Sequence, residues 1–208
     1  MNSLRFLLLL QLLQLTTPLV LGQAAGNGKP ASLPNEPEAM VRSFYNEVVI
    51  LHPLGSPGGE AIKVFAPYLS KALRHKIDIN VACQDDWGRQ NPDPNSKPPF
   101  LEFGLFSGDD MRAEPQAFSI ERKEEEKDGS IRVYVKLTRD EPGESPRSWH
   151  VVVILRRENG HFAVDDVIYL KDNPRDVDVR LTEYLSKGCN GPHWVGFSDQ
   201  RSDLKPHK

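Results

Sequence analysis

The chain has 208 residues and a formal net charge of −3, with 26 Lys and Arg interspersed among 29 Asp and Glu. Such a balance builds no basic face for phosphate contacts, so nucleic acid is excluded as a partner class. With 26% charged and 38% apolar residues, the composition is that of one folded domain rather than a disordered chain.

The first residues read as an export signal. Arg5 supplies a positive start, Phe6 to Leu15 is apolar except for Gln11 and Gln14, and Pro18 precedes Gly22, Gln23 and Ala24. Small residues at positions 22 and 24 fit removal of residues 1–24, and the run is interrupted too early for a spanning helix. The expectation is a secreted or periplasmic protein with no membrane span after processing. Residues 25–37, rich in Gly, Pro and Asn, read as a flexible linker ahead of a single domain at 38–190 and a tail at 191–208. In an oxidising compartment the only two cysteines, Cys83 and Cys189, are expected to be joined, two separate buried thiols being the alternative. The six histidines are scattered without an i, i+4 pair, so no metal site is expected.

Apolar steps of four through Met40, Phe44 and Val48 and through Val41, Tyr45 and Val49 predict a helix over 37–51, opened by a capping box of Asn35 and Glu38. Gly and Pro over 55–59 make a loop, and a short helix is expected at 60–65. A third helix begins near Pro67, carries Leu69, Leu73, Ile77 and Val81 in one row, and runs to Cys83. The helical pattern fails over 84–112, where prolines exclude a helix; a structureless stretch this long is uncommon and often functional.

Beyond it the period becomes two. Phe118 and Ile120, then Val133, Val135 and Leu137, flank Asp128-Gly129 as a hairpin; a two-residue loop sets Lys127 opposite Ser130 and Ile120 opposite Leu137. The charged run Glu124, Glu125 and Glu126 protects a strand edge. A second hairpin turns at Asn159-Gly160. Strict alternation then gathers Trp149, Val151, Val153, Leu155, Phe162, Val164, Asp166, Ile168 and Leu170 on the core face, with His150, Asp165 and Tyr169 among those opposite. A last helix is predicted over 174–187, starting at Asn173-Pro174, with Val177, Leu181, Tyr184 and Leu185 on one side and Gly188 at its end.

Helices followed by an antiparallel meander predict an α+β domain with N-terminal helices packed on a curved sheet and a C-terminal helix. The order resembles the cone-shaped, cystatin-like folds of the nuclear transport factor 2-like superfamily. The resemblance is carried by Phe44-Tyr45, by the segment from Pro67 to Leu73, and by the strand from Gly160 to Tyr169. Within that superfamily the chain is similar, over about residues 38–190, to domain-of-unknown-function family 3828, a group of bacterial envelope proteins. The resemblance implies a pocket between the helices and the concave sheet face, which fold alone does not assign to catalysis or to binding.

Asp166 is the only carboxylate on the expected core face. It is either a general acid or base partnered by Trp149, Tyr45 or Tyr68, or a structural carboxylate satisfied by backbone donors, or turned outward by a local bulge. The expected ligand-binding residues are Tyr45, Tyr68, Trp149 and Asp166, with Asp86, Trp87 and Asp110 in a loop at the pocket mouth. Asn91, Asp93, Asn95 and Glu102 have the spacing of a calcium loop, but Ser96 stands where Gly is required and four prolines stiffen the stretch. No Gly-rich phosphate loop follows a strand and no G-x-S-x-G occurs, so no cofactor is expected. The resulting expectation is an exported, non-catalytic binding domain whose apolar pocket takes a small apolar ligand or an envelope partner protein. The alternative is an acid–base enzyme of isomerase or hydrolase type centred on Asp166.

Overall fold

A computed structural model describes residues 34–55, 58, 60–100, 104–108, 114–171 and 177–197, all within one compact unit spanning Leu33–Lys208. The export signal, most of the linker, Asp110, the Asn173-Pro174 start of the expected last helix and residues 198–208 lie outside the described residues. No helix among the described residues is long and apolar enough to cross a membrane.

Helix α1 (Pro37–Leu51) buries Met40, Val41, Phe44, Tyr45 and Val48, the two apolar rows of its sequence. Its start differs from the expected capping box. Pro37 sits in the first turn after Glu36 with no side-chain cap; its fixed φ suits that place, and its missing N–H is one that a helix start leaves unpaired in any case. Glu38 instead pairs with Lys123 of the sheet at 2.8 Å. After α2 (Glu60–Phe65), helix α3 spans Lys71–Gln90. Ser70, rather than Pro67, caps it, accepting from the Leu73 amide at 3.0 Å. The helix continues seven residues past Cys83: its apolar row ends there, but the backbone stays helical until Asn91, which precedes Pro92. Asp86 and Trp87 are therefore helical, not part of a loop.

Strands β1 (Ala117–Glu125), β2 (Ile131–Arg139), β3 (Arg147–Glu158), β4 (His161–Tyr169) and β5 (Val179–Arg180) form one antiparallel sheet in sequence order, giving an α+β fold. Val133, Val135, Leu137, Val151, Val153 and Leu155 pack with α1 and α3 residues in one core. The first hairpin has a three-residue loop in place of two: the Gly129 amide donates to the Glu126 carbonyl, the Glu126 amide to the Ser130 carbonyl, and Gly129 has φ +78°. That shift alone reverses the faces of β1. A bulge at Glu121 shifts the register once more and restores them, so Phe118 opposes Leu137 and Ile120 opposes Val135.

The second hairpin turns at Asn159-Gly160 as expected, with Glu158 opposite His161 and both turn residues at positive φ. Strict alternation fails farther along. Leu155 opposes Val164 but Ile154 opposes Asp166, leaving Asp165 as a bulge. From there the faces exchange: Val167 and Tyr169 enter the core, while Asp166 and Ile168 lie on the outer face with Val152 and Ile154. Two adjacent carboxylates explain the bulge, since unbroken alternation would set one of them among the apolar side chains of the core.

The expected helix over 174–187 shortens to α4 (Leu181–Ser186), with Val177 exposed ahead of β5. Six residues form little helix unaided, and side chains from elsewhere hold both ends. Asp166 accepts from the Thr182 amide and hydroxyl, and Asn80 of α3 donates to the Leu185 carbonyl at 2.8 Å. Beyond it, β6 (Cys189–Asn190) and β7 (His193–Trp194) form a small hairpin against α3, so the folded region extends past residue 190 to Phe197. A disulfide joins Cys83 to Cys189, with their Cα atoms 6.1 Å apart across 106 residues of sequence. Replacing both cysteines by Ala is expected to lower stability by about 2–4 kcal/mol, from the loop that the bond closes. Urea unfolding of the oxidised protein and the variant measures this; equal midpoints would contradict it.

Candidate functional site

Among the described residues, side chains of the chain itself fill the space between the helices and the sheet. Residues 104–108 form a turn in which the Ser107 and Gly108 amides donate to the Gly104 carbonyl, and Leu105 and Phe106 are fully buried. Three successive carbonyls of this turn accept from three aromatic donors on different elements. The Tyr169 hydroxyl of β4 donates to Leu105 at 2.6 Å, the Tyr45 hydroxyl of α1 to Phe106 at 2.8 Å, and the Trp149 indole N–H of β3 to Ser107 at 2.6 Å. The Leu105 amide donates to the Pro53 carbonyl. A buried backbone group without a partner costs about 1–3 kcal/mol, so these bonds allow a loop to enter a core. The Phe106 ring packs on Phe44 and Phe65 at 4.9 and 5.0 Å between centroids.

The structure gives each expected ligand residue a place within the chain. Tyr45 and Trp149 hold this plug, Tyr68 packs its ring on Phe44, and Asp166 faces the opposite side of the sheet. Asp166 is 4% exposed. Oδ1 accepts from the Val167 and Thr182 amides and Oδ2 from the Thr182 hydroxyl and the Arg180 guanidinium. A carboxylate with four donors is a structural cap and clamp. Its neighbour Asp165 accepts from Ser70 and Arg156, tying the start of α3 to the sheet. In the calcium-like stretch, the Asn91 side chain donates to the Trp87 carbonyl and Asp93 accepts from the Asn95 amide; Glu102 lies outside the described residues.

A different surface gathers three half-buried aromatic rings and one exposed one. At the end of α3 the rings of Trp87, Phe100, Trp194 and Phe197 form an edge-to-face chain, with successive centroids 6.2, 5.2 and 5.3 Å apart. The β6–β7 hairpin that carries Trp194 is fixed three ways: by the disulfide, by Asp86, and by Gly188. Asp86 accepts from the Trp194 amide at 2.9 Å, and that bond, with further ones from Arg89 and Gln90, holds its carboxyl below the usual carboxylate range. Gly188 has φ +76°, and a Cβ there would fall 2.3 Å from the Trp194 ring. On this rigid base, Phe197 is 49% and Val195 64% exposed. They border a cleft of about 380 Å³ whose other walls are Ser186, Lys187, Gly188, Cys189 and Gly196.

Of the residues expected at a pocket mouth, Asp86 and Trp87 belong to this surface, as its support rather than as the rim of the helix-covered face. The sequence reading missed Tyr169, whose inward turn depends on the bulge, and the partners Arg180, Thr182 and Asn80. It also missed residues 105–107, where the apolar run Phe100, Leu101, Phe103, Leu105 and Phe106, broken only by Glu102 and Gly104, was the available signal. Comparison of the chain with protein-family models, curated proteins and solved structures finds no match.

The plug carries a pH signature. Burial pushes the Tyr45 phenol far above its ordinary value of 10.0, and burial, followed by the neighbouring Tyr45 and Asp166, does the same for Tyr169. The folded protein keeps both protons while the unfolded chain releases its own above about pH 10. Stability is therefore level in this respect below that pH and falls above it, by about 1.4 kcal/mol per pH unit for each phenol. Tyr45→Phe and Tyr169→Phe should each cost about 1–3 kcal/mol at neutral pH by stranding a buried carbonyl, and each should flatten the alkaline slope. Urea titrations at neutral and alkaline pH check both effects; an unchanged slope would contradict the burial of these hydroxyls.

Proposed function

We propose that the chain is an exported, non-catalytic binding domain that engages a partner protein through the aromatic surface at the end of α3 and the β6–β7 hairpin. The observation that carries this reading is the contrast between the two faces. On the helix-covered side the aromatic donors are committed to the plug, whereas Phe197 and Val195 stand exposed around a cleft on a disulfide-braced base. An exposed aromatic ring backed by half-buried ones on a rigid support is a usual anchor of protein recognition. The committed oxygens of Asp166 argue against acid–base chemistry there.

Kinship with the nuclear transport factor 2-like superfamily and with family 3828 belongs to the same proposal, supported by the order of helices and antiparallel meander. On that kinship, residues 104–108 occupy the place where such a cone would open to a ligand. Export through an N-terminal signal removed after Ala24 is likewise part of the reading, supported by the signal-like sequence and by cysteines placed for a disulfide.

A photo-crosslinking amino acid at Val195, in protein exported by its own host, is expected to give one discrete adduct. The adduct should disappear with Phe197→Ser and persist with Asp166→Asn. The same group at Ser148, on the sheet, should give none. Equal adducts from both positions, or an adduct indifferent to Phe197, would contradict the assignment of the surface.

A further inference from the structure

Resting on that reading of the surface, we infer that the cleft beside α4 receives the C-terminal residue of a partner polypeptide, an apolar side chain with its free carboxylate. Lys187 is the reason for the carboxylate. Its ammonium lies 5.5 Å from the Phe197 ring centroid and 5.9 Å from that of Tyr184, so two aromatic faces hold a cation at the edge of the cleft. Among the described residues it forms no ion pair with a carboxylate, and its charge faces the two rings instead. Asp86, which holds the hairpin from α3, is engaged by Trp194, Gln90 and Arg89. A positive charge held on aromatic rings, beside a cleft that sets Val195 and Phe197 against Ser186 and glycine backbone, complements one group that is negative at one end and apolar at the other.

Size and rigidity narrow the occupant. A cleft of about 380 Å³ is at the small end of ligand sites and holds one or two residues, not a long segment. Lys187 also borders a smaller hollow of about 30 Å³ lined by Asn80, Pro99, Phe100, Tyr184 and Phe197, so its ammonium stands between two recesses that share Phe197. The walls are fixed before binding: the disulfide, the close approach of Gly188 to Trp194 and the bond from the Val195 amide to the Gly188 carbonyl hold the cleft's two sides together. Little ordering cost remains for a ligand of this size.

The probe is N-acetylphenylalanine, compared with its uncharged amide in an NMR amide titration of the oxidised protein. The acid is expected to shift the Gly188, Gly196 and Phe197 amides in a saturable, salt-sensitive way, and the amide to bind about fivefold more weakly. Lys187→Gln should reduce the acid to the level of the amide while leaving the amide unchanged, and Lys187→Arg should retain the preference. Equal binding of acid and amide, shifts centred away from these residues, or no saturable shift would overturn the inference. The outcome separates it from the surface assignment: a Val195 adduct that survives Lys187→Gln, with no binding of the acid, removes the carboxylate site and leaves the surface. Specific binding of the acid with no Val195 adduct does the reverse.

Discussion

The fold depends on three consecutive carbonyl groups that the core cannot leave unpaired. Residues 105–107 bring backbone into the apolar space between helices and sheet, where no water is at hand to satisfy it, and Tyr169, Tyr45 and Trp149 each supply one donor. The three donors come from β4, α1 and β3, so the turn ties the helix layer to two strands at once. The same bonds explain why these large polar-tipped aromatics occupy core positions: their rings provide apolar area and their tips meet a backbone that no aliphatic residue would satisfy.

A second consequence follows from the bulge at Asp165. By exchanging the faces of β4 it turns Tyr169 inward to the plug and Asp166 outward to α4. One extra residue in one strand thus supplies a donor to the plug on one face and an N-terminal clamp for a six-residue helix on the other. Asn80 closes the far end of that helix from α3, and the disulfide ties α3 to the hairpin that follows. The aromatic surface is therefore mechanically continuous with the core, which is why an exposed hairpin two residues wide on each side keeps a defined shape.

Local patterns were legible wherever they followed a regular period. The apolar rows of α1, the turn at Asn159-Gly160, the inward residues of β2 and β3 and the pairing of two solitary cysteines could all be read from residue order. Interactions between distant segments could not. Strict alternation assigns Asp166 to the core face; the structural carboxylate and the outward bulge were legible as alternatives to a catalytic role, but two adjacent aspartates do not say which of them bulges or which donors Asp166 meets. The plug was hidden for a similar reason: Leu105 and Phe106 lie in an irregular loop with no apolar period, and their burial depends on donors 42 to 64 residues away in sequence, which no window reveals. The tail assigned after residue 190 hid Trp194, because two-residue strands have no detectable period.

The most direct measurement is native-state hydrogen exchange of the Leu105 amide, which donates to Pro53 at the root of the plug. If residues 105–107 are part of the core, this amide exchanges only through global unfolding, with an opening free energy equal to that of the central β2 and β3 amides and with the same urea dependence. Exchange of Leu105 at a much lower free energy, while β2 and β3 stay protected, would show that the plug leaves the sheet in the folded protein, and would return the helix-covered face to consideration as a ligand site.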